Sequence, residues 1–246
     1  MKAIIFGGTT GMGRAIARRL AERGDSVFLM GLDTDDLVRS AADLTERHPQ
    51  RAEVGYAVCD LEKPDGFSAA LDAADAFLGE FDAVIVTAAM YATQDALEAD
   101  VDLVRRLVTV NYANTVVFCE HVRKRLLARG GGHLVVFSSV AGDRGRKPVA
   151  IYGSSKAGLS IYLEALDHKF NAAGLAVTCV KPGFVKTGMT AGLKPPPFAG
   201  EPDQVARDVV DAMDRRKPLV YTPGIWALVM LVIRSLPRFV MRKIGF

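Results

Sequence analysis

Ala3-Ile4-Ile5-Phe6-Gly7-Gly8-Thr9-Thr10-Gly11-Met12-Gly13-Arg14-Ala15-Ile16-Ala17-Arg18-Arg19-Leu20 opens the chain with an apolar run, a glycine-rich turn and a segment carrying Ile16, Ala17 and Leu20 at helical spacing. This reads as strand, turn, helix, with the glycines at the point where a backbone approaches a pyrophosphate closely. Glycine removes the Cβ that would block that approach. The helix that follows turns its unpaired N–H groups and positive dipole end toward the phosphates. A glycine turn without a ligand is the competing reading, and the surrounding pattern argues against it.

Outward from that turn the alternation repeats. Val27 to Met30 reads as strand, Asp36 to Arg47 as helix, Val54 to Cys59 as strand, Phe67 to Leu78 as helix and Ala83 to Val86 as strand. A long helix around Val101 to Ala128, a strand at Leu134 to Phe137, a helix from Tyr152 to Ala172 and a strand at Ala176 to Val180 follow. The strands are near-continuous apolar runs, which means they are covered on both faces. Gly24, Gly79, Gly130 to Gly132 and Gly174 stand near helix C-termini. Together these predict an α/β fold: a doubly wound, Rossmann-type parallel sheet with right-handed crossovers, in a single domain over residues 1–246. Within it, 188–202 is expected to form a substrate flap, because Pro195-Pro196-Pro197 forbids regular helix.

The 246 residues are half apolar and carry a net charge of +3, enough for a large core and too little positive charge for a nucleic-acid protein. Cys59, Cys119 and Cys179 are widely spaced, and His48, His121, His133 and His168 share no ligand spacing. Reduced core thiols and no metal are expected. The N-terminus has no secretory pattern, so cytoplasmic residence is expected. The longest apolar run, Ile225 to Ile233, is nine residues, far short of the roughly 20 needed to span a bilayer.

Cofactor choice turns on the end of the second strand, where an acid bonds the ribose 2′-hydroxyl or an arginine pairs with a 2′-phosphate. Here stand Gly31-Leu32-Asp33. Asp33 would repel a 2′-phosphate, which favours NAD, in use as NADH, with NADP the alternative. Asp60, after the third strand, lies where an adenine amino group is expected, with a solvated loop acid the competing reading.

Tyr152 and Lys156 are four apart at the start of a helix and share one face. A free phenol, with a pKa of about 10, is a poor acid or base near neutrality. An adjacent ammonium favours the phenolate, so Lys156 is expected to bring the Tyr152 pKa down toward working pH, where proton transfer to or from a substrate oxygen is effective. Ser139, at the end of the preceding strand, is placed to hydrogen-bond the same oxygen.

With these residues in place the sequence resembles the short-chain dehydrogenase/reductase family over essentially its whole length. Gly7, Gly11 and Gly13 match G-x-x-x-G-x-G, Tyr152 to Lys156 matches Tyr-x-x-x-Lys with Ser139 before it, and Pro182-Gly183 with Thr187 resembles the nicotinamide-side loop. The resemblance implies a ketone/alcohol oxidoreductase with a tetrad. In it Tyr152 is acid/base, Ser139 holds the carbonyl, Lys156 grips the nicotinamide ribose and tunes Tyr152, and Asn111 organises a proton-relay water. It implies cofactor contacts from Gly7, Thr9, Thr10, Gly11, Met12, Gly13, Asp33, Asp60, Leu61, Ala88, Ala89, Tyr152, Lys156, Pro182, Gly183, Val185 and Thr187, and a homo-oligomer. Two departures stand out: Phe6 where threonine is usual, and Thr87-Ala88-Ala89-Met90 in place of Asn-Asn-Ala-Gly.

A narrower resemblance lies in Ser138 to Arg146, Met189 to Lys194, and the tail from Tyr221 through Pro237, Arg242 and Lys243. These look like the decaprenylphosphoryl-2-keto-pentose reductase branch of that family, which implies NADH, a polyprenyl-phosphate 2-keto-pentose as substrate and a flavin oxidase as the partner that makes the ketone. Residues 225–246 contain Arg234, Arg238 and Arg242 at steps of four, Lys243 and no acid, the pattern of one amphipathic C-terminal helix on anionic lipid at the inner face of a membrane. Pro237 is expected to kink it. A helix closing the core or a subunit interface is the competing reading. Arg144-Gly145-Arg146-Lys147, tethered between Ser139 and Tyr152, is read as a clamp for a substrate phosphate, against a solvated basic loop. A generic reductase of a soluble ketone, 3-oxoacyl thioester or hydroxysteroid, and a catalytically silent nucleotide-binding regulator, are the rival functions.

Overall fold

A computed structural model describes residues 1–47 and 54–245; His48 and Phe246, which entered the reading above, lie outside them. Seven strands form one sheet in the order β3-β2-β1-β4-β5-β6-β7: β1 Lys2–Phe6, β2 Ser26–Gly31, β3 Val54–Val58, β4 Ala83–Val86, β5 Gly132–Phe137, β6 Leu175–Pro182 and β7 Leu219–Thr222. Every neighbouring pair is parallel. The register puts Phe28, Ile4, Val84, Leu134 and Val177 in one row across the sheet. That row packs on α3 (Phe67–Leu78), α6 (Thr115–Ala128) and α7 (Ala150–Phe170). The alternate residues Leu29, Ile5, Ile85 and Val135 face α1 (Gly11–Arg23), α2 (Thr34–Arg47) and α8 (Pro202–Asp214) on the other side. The central strands are dry on both faces because their side chains, up or down, meet a helix, while Tyr56 and Val58 on β3 and Leu219 on β7 stay exposed at the sheet edges. The doubly wound fold is as expected. Cys59, Cys119 and Cys179 are buried and unpaired.

Five departures from the sequence reading stand out. The segment Val101 to Ala128 is not one regular helix: α5 (Val101–Val108) and α6 are joined by a π-helical stretch, Thr109–Asn114, whose wider turn carries Asn111. Such bulges concentrate at functional sites. The tail is likewise two helices, α9 (Ile225–Ser235) and α10 (Arg238–Lys243), separated by extended backbone at Leu236 and Pro237. Arg234 therefore sits on a different helix from Arg238 and Arg242, and the three do not share one helical face. Finally α4 (Gln94–Ala99), α8 and β7 were not foreseen.

The strand order reverses between β1 and β4, leaving a crevice beyond the carboxyl ends of the strands. The glycine turn and the loops after β4, β5 and β6 all open there.

Candidate active site

The turn between β1 and α1 fits a dinucleotide's pyrophosphate. A Cβ on Gly13 would run into the Gly7 carbonyl, and one on Gly7 would stand 2.6 Å from Thr87 Oγ1 and 2.7 Å from the Ala88 nitrogen. Gly11 has φ +51, the left-handed region in which side chains are strained. Thr10 caps α1 with its hydroxyl unbonded to the helix, and the first turn holds no acid, so N–H groups and dipole face the crevice without a competing anion. The Thr187 methyl lies 3.3 Å from where a Gly11 Cβ would be, which brings the loop after β6 against the turn. Asp33 is exposed at the end of β2, and its Oδ1 accepts the Asp36 N–H at 2.8 Å, capping α2. Asp60 accepts the Glu62 N–H at 2.8 Å, and the Leu61 carbonyl accepts from Asn114 Nδ2 at 2.6 Å. This fixes the loop after β3.

On the other side of the crevice, β5 delivers Ser139 and the first turn of α7 delivers Tyr152 and, one turn on, Lys156. Ser139 Oγ accepts the Ala141 N–H at 3.1 Å. Burial pushes the Tyr152 phenol up to about 12; its hydrogen bond with Ser139 pulls the other way, and Tyr91, edge-on at 5.4 Å between ring centres, adds to the rise. Lys156 is buried, donates from Nζ to the Phe137 carbonyl at 2.9 Å, and is held down to about 8 by desolvation. The sequence expectation that Lys156 lowers the phenol's pKa is thus corrected: the direction is upward. Desolvation of the phenolate outweighs an ammonium that stands 5.9 Å from the ring centre and bonds a carbonyl instead.

Asn111 is fully buried in the π-helical stretch. Its Oδ1 accepts the Met90 N–H and its Nδ2 donates to the Met90 carbonyl, both at 2.7 Å. The side chain therefore anchors the loop after β4.

Ser139, Tyr152 and Lys156 line a cavity of about 710 Å³ with Met12, Pro182, Gly183 and Thr187 of the cofactor side. Its far wall is apolar: Met189, Leu193, Pro196, Pro197 and Phe198 of the flap, and Trp226, Val229, Val232, Ile233 and Leu236 of the tail. The flap is closed at its base, where Val185 and Gly200 pair, and Trp226 Nε1 donates to the Phe198 carbonyl at 3.2 Å. A Cβ on Gly183 would collide with the Trp226 indole.

A family model for short chain dehydrogenases matches residues 1–197. The chain belongs to the short-chain dehydrogenase family. An uncharacterised oxidoreductase of Mycobacterium tuberculosis is 33% identical over 98% of this chain and 95% of its own length. A 3-oxoacyl-[acyl-carrier-protein] reductase of Chlamydia muridarum is 28% identical over 78% and 76%. A variant of actinorhodin polyketide ketoreductase, solved with NADPH, superposes with a TM-score of 0.79 at 23% identity, covering 89% of this chain and 94% of that one. The protein is an oxidoreductase enzyme whose fold binds NAD(P).

Of the residues expected at the site of this dehydrogenase, the turn glycines, Ser139, Tyr152, Lys156, Pro182, Gly183 and Thr187 converge on one crevice. Arg146 also lines the cavity. Arg144 and Lys147 are corrected: their donors bond the Leu236 carbonyl at 2.8 Å and the Arg242 carbonyl at 2.7 Å, so they tie the loop to the tail. Sequence reasoning missed Tyr91, Trp226 and the role of Thr87, whose hydroxyl donates within 3.1 Å of both the Phe6 and Gly7 carbonyls. A lone tryptophan in an apolar helix and a threonine one residue after a strand give no pattern to find. Only the departure at Thr87 from the usual asparagine marked the place.

Proposed function

We propose that this enzyme reduces the keto group of a lipid-linked, anionic substrate, a polyprenyl-phosphate 2-keto-pentose or a close chemical equivalent, with NADH. A bound nicotinamide dinucleotide supplies the hydride. Tyr152 delivers the proton to the substrate oxygen from a hydroxyl that burial keeps protonated. Ser139 orients that oxygen, and Lys156, set behind the tyrosine, is the donor that a ribose hydroxyl would draw off the Phe137 carbonyl.

The observation that carries the substrate reading is the cavity mouth. Phe198 and Val232 line the cavity and are 59% and 57% exposed, and Leu228 and Leu231 of α9 and Phe239 of α10 are exposed apolar side chains of the same tail. An apolar chain entering there stays out of water along its length. Arg234, Arg238, Arg242 and Lys243 stand in the same two helices with no acid, which suits approach to an anionic bilayer. No described helix is long and apolar enough to cross a membrane. A ketone of this class is the product of an oxidation, so a flavin oxidase is the partner the reading implies.

Similarity to the acyl-carrier-protein reductase favours a second reading, a 3-oxoacyl thioester as substrate. NADH oxidation with a polyprenyl-phosphate 2-keto-pentose, a 3-oxoacyl thioester and a small cyclic ketone separates the two. The proposal requires the highest kcat/KM for the first; a preference for the thioester establishes the second, and oxidation of NADH with none of the three rejects both.

A further inference from the structure

Residues 143–147, Asp-Arg-Gly-Arg-Lys, lie between Ser139 and Tyr152 in the chain, and Arg146 among them lines the cavity. Four of the five have their chemistry settled within the protein or carry none. Asp143 is shared by Lys181 Nζ at 2.6 Å and the Tyr221 hydroxyl at 2.7 Å, Arg144 bonds the Leu236 carbonyl, Lys147 bonds the Arg242 carbonyl, and Gly145 has no side chain.

Arg146 differs. Its Nε is buried without a hydrogen-bond partner, and among the described residues no carboxylate lies within ion-pair distance of it. Its side chain lines the same cavity as Ser139 and Tyr152. Burial there disfavours the cation, with Asp143 only partly offsetting it. A guanidinium does not release its proton at working pH, so it remains a charged fork lacking an acceptor. A half-buried charge whose Nε lacks an acceptor is a standing destabilisation, and an oxyanion with two oxygens in one plane removes it.

We infer that Arg146 is the anion receptor of the substrate cavity, binding the oxyanion, a phosphate ester or a carboxylate, that the substrate carries between its keto-bearing head and its apolar tail. This rests on the proposed reduction of a tailed ketone. The loop thus divides its labour: Arg144 and Lys147 fasten the tail helices while Arg146 reads charge.

The test uses three ketones, bearing a phosphate ester, a carboxylate or no charge, each made with a short and a long alkyl tail, on the wild-type enzyme, Arg146→Met and Arg146→Lys. The ratio of kcat/KM for each anionic ketone to that for the neutral one should fall roughly ten- to a hundredfold in Arg146→Met and partly recover in Arg146→Lys, as expected for a charge-assisted hydrogen bond. Whether the larger fall is for phosphate or carboxylate names the oxyanion.

Thermal unfolding without substrate provides a readout independent of turnover. Arg146→Met should melt at or above the wild-type temperature, since no internal partner is lost, and dodecyl phosphate should raise the Tm of wild type more than dodecanol does, but not that of the variant. A lower Tm for Arg146→Met with unchanged ratios makes Arg146 structural and overturns the inference. Unchanged ratios with a retained preference for long tails also defeat it while leaving the proposed function standing. Ratios that fall equally on short-chain ketones uphold the receptor and reject the lipid reading alone.

Discussion

Lys156 Nζ bonds the Phe137 carbonyl at 2.9 Å while standing 5.9 Å from the centre of the Tyr152 ring, so the ammonium rests on the sheet beside the phenol. Lys156 is buried and Tyr152 half-buried at the cavity wall, and desolvation favours the neutral form of each: the lysine is held down to about 8, the tyrosine pushed up to about 12. The site is thereby held protonated at oxygen and ready to give a proton.

These shifts have a stability signature. Between about pH 8 and the unfolded lysine value of 10.5, the unfolded chain binds a proton at Lys156 that the folded one does not, so stability rises with pH there. Below pH 8 the buried ammonium weighs against folding in full. Tyr152 acts oppositely between its ordinary 10.0 and about 12, where the folded form holds the extra proton and stability falls as pH rises. Lys156→Met should therefore gain Tm relative to wild type at pH 7, and the gap should narrow by pH 10. A gap independent of pH would show that Lys156 is not desolvated in the folded protein.

Cofactor choice is tested most cleanly by Asp33→Asn. The Asp33 Oδ1 that caps α2 has an equivalent acceptor in asparagine, so the helix terminus keeps its bond while the charge is removed. Wild type should show the higher kcat/KM with NADH, and the variant should gain about tenfold in the NADPH to NADH ratio, the equivalent of roughly 1.4 kcal/mol. A wild-type preference for NADPH would contradict the role given to Asp33.

The tail should meet lipid through charge as well as through Leu228, Leu231 and Phe239. In vesicle sedimentation, wild type should bind phosphatidylglycerol-rich vesicles in a salt-sensitive way, and the variant with Arg234, Arg238 and Arg242 all changed to Gln should bind more weakly, each arginine contributing about 1 kcal/mol near such a surface. Equal sedimentation of the two proteins would leave α9 and α10 as closing helices only.

Much of this fold was legible because its periodicity is local. Phe67–Leu78 and Ala83–Val86 carry complete apolar patterns and lie where they were expected. The four-residue β7 is too short for a pattern to register, and α8 begins at Pro202, beyond a proline-rich stretch read entirely as flap. The regular spacing across Val101 to Ala128 hid the π-helical turn, which inserts a residue into the ladder without disturbing composition. At the site, Tyr152, Lys156 and Ser139 were evident from spacing, but desolvation was not, since it depends on Tyr91 and the walls contributed by distant segments. Arg144, Arg146 and Lys147 looked alike in sequence. Only the positions of the Leu236 and Arg242 carbonyls distinguish the two that fasten the tail from the one that faces the cavity.

The central claim is that Tyr152 gives the substrate oxygen its proton, and single-turnover hydride transfer in Tyr152→Phe measures it directly. The change removes one hydroxyl and keeps the ring that stacks edge-on against Tyr91. With enzyme in excess over NADH and a saturating ketone, the rate of NADH fluorescence loss should drop by roughly a hundredfold or more, within the range for loss of a general acid, while NADH affinity by titration stays within about twofold. A variant that transfers hydride within tenfold of the wild-type rate would contradict the account.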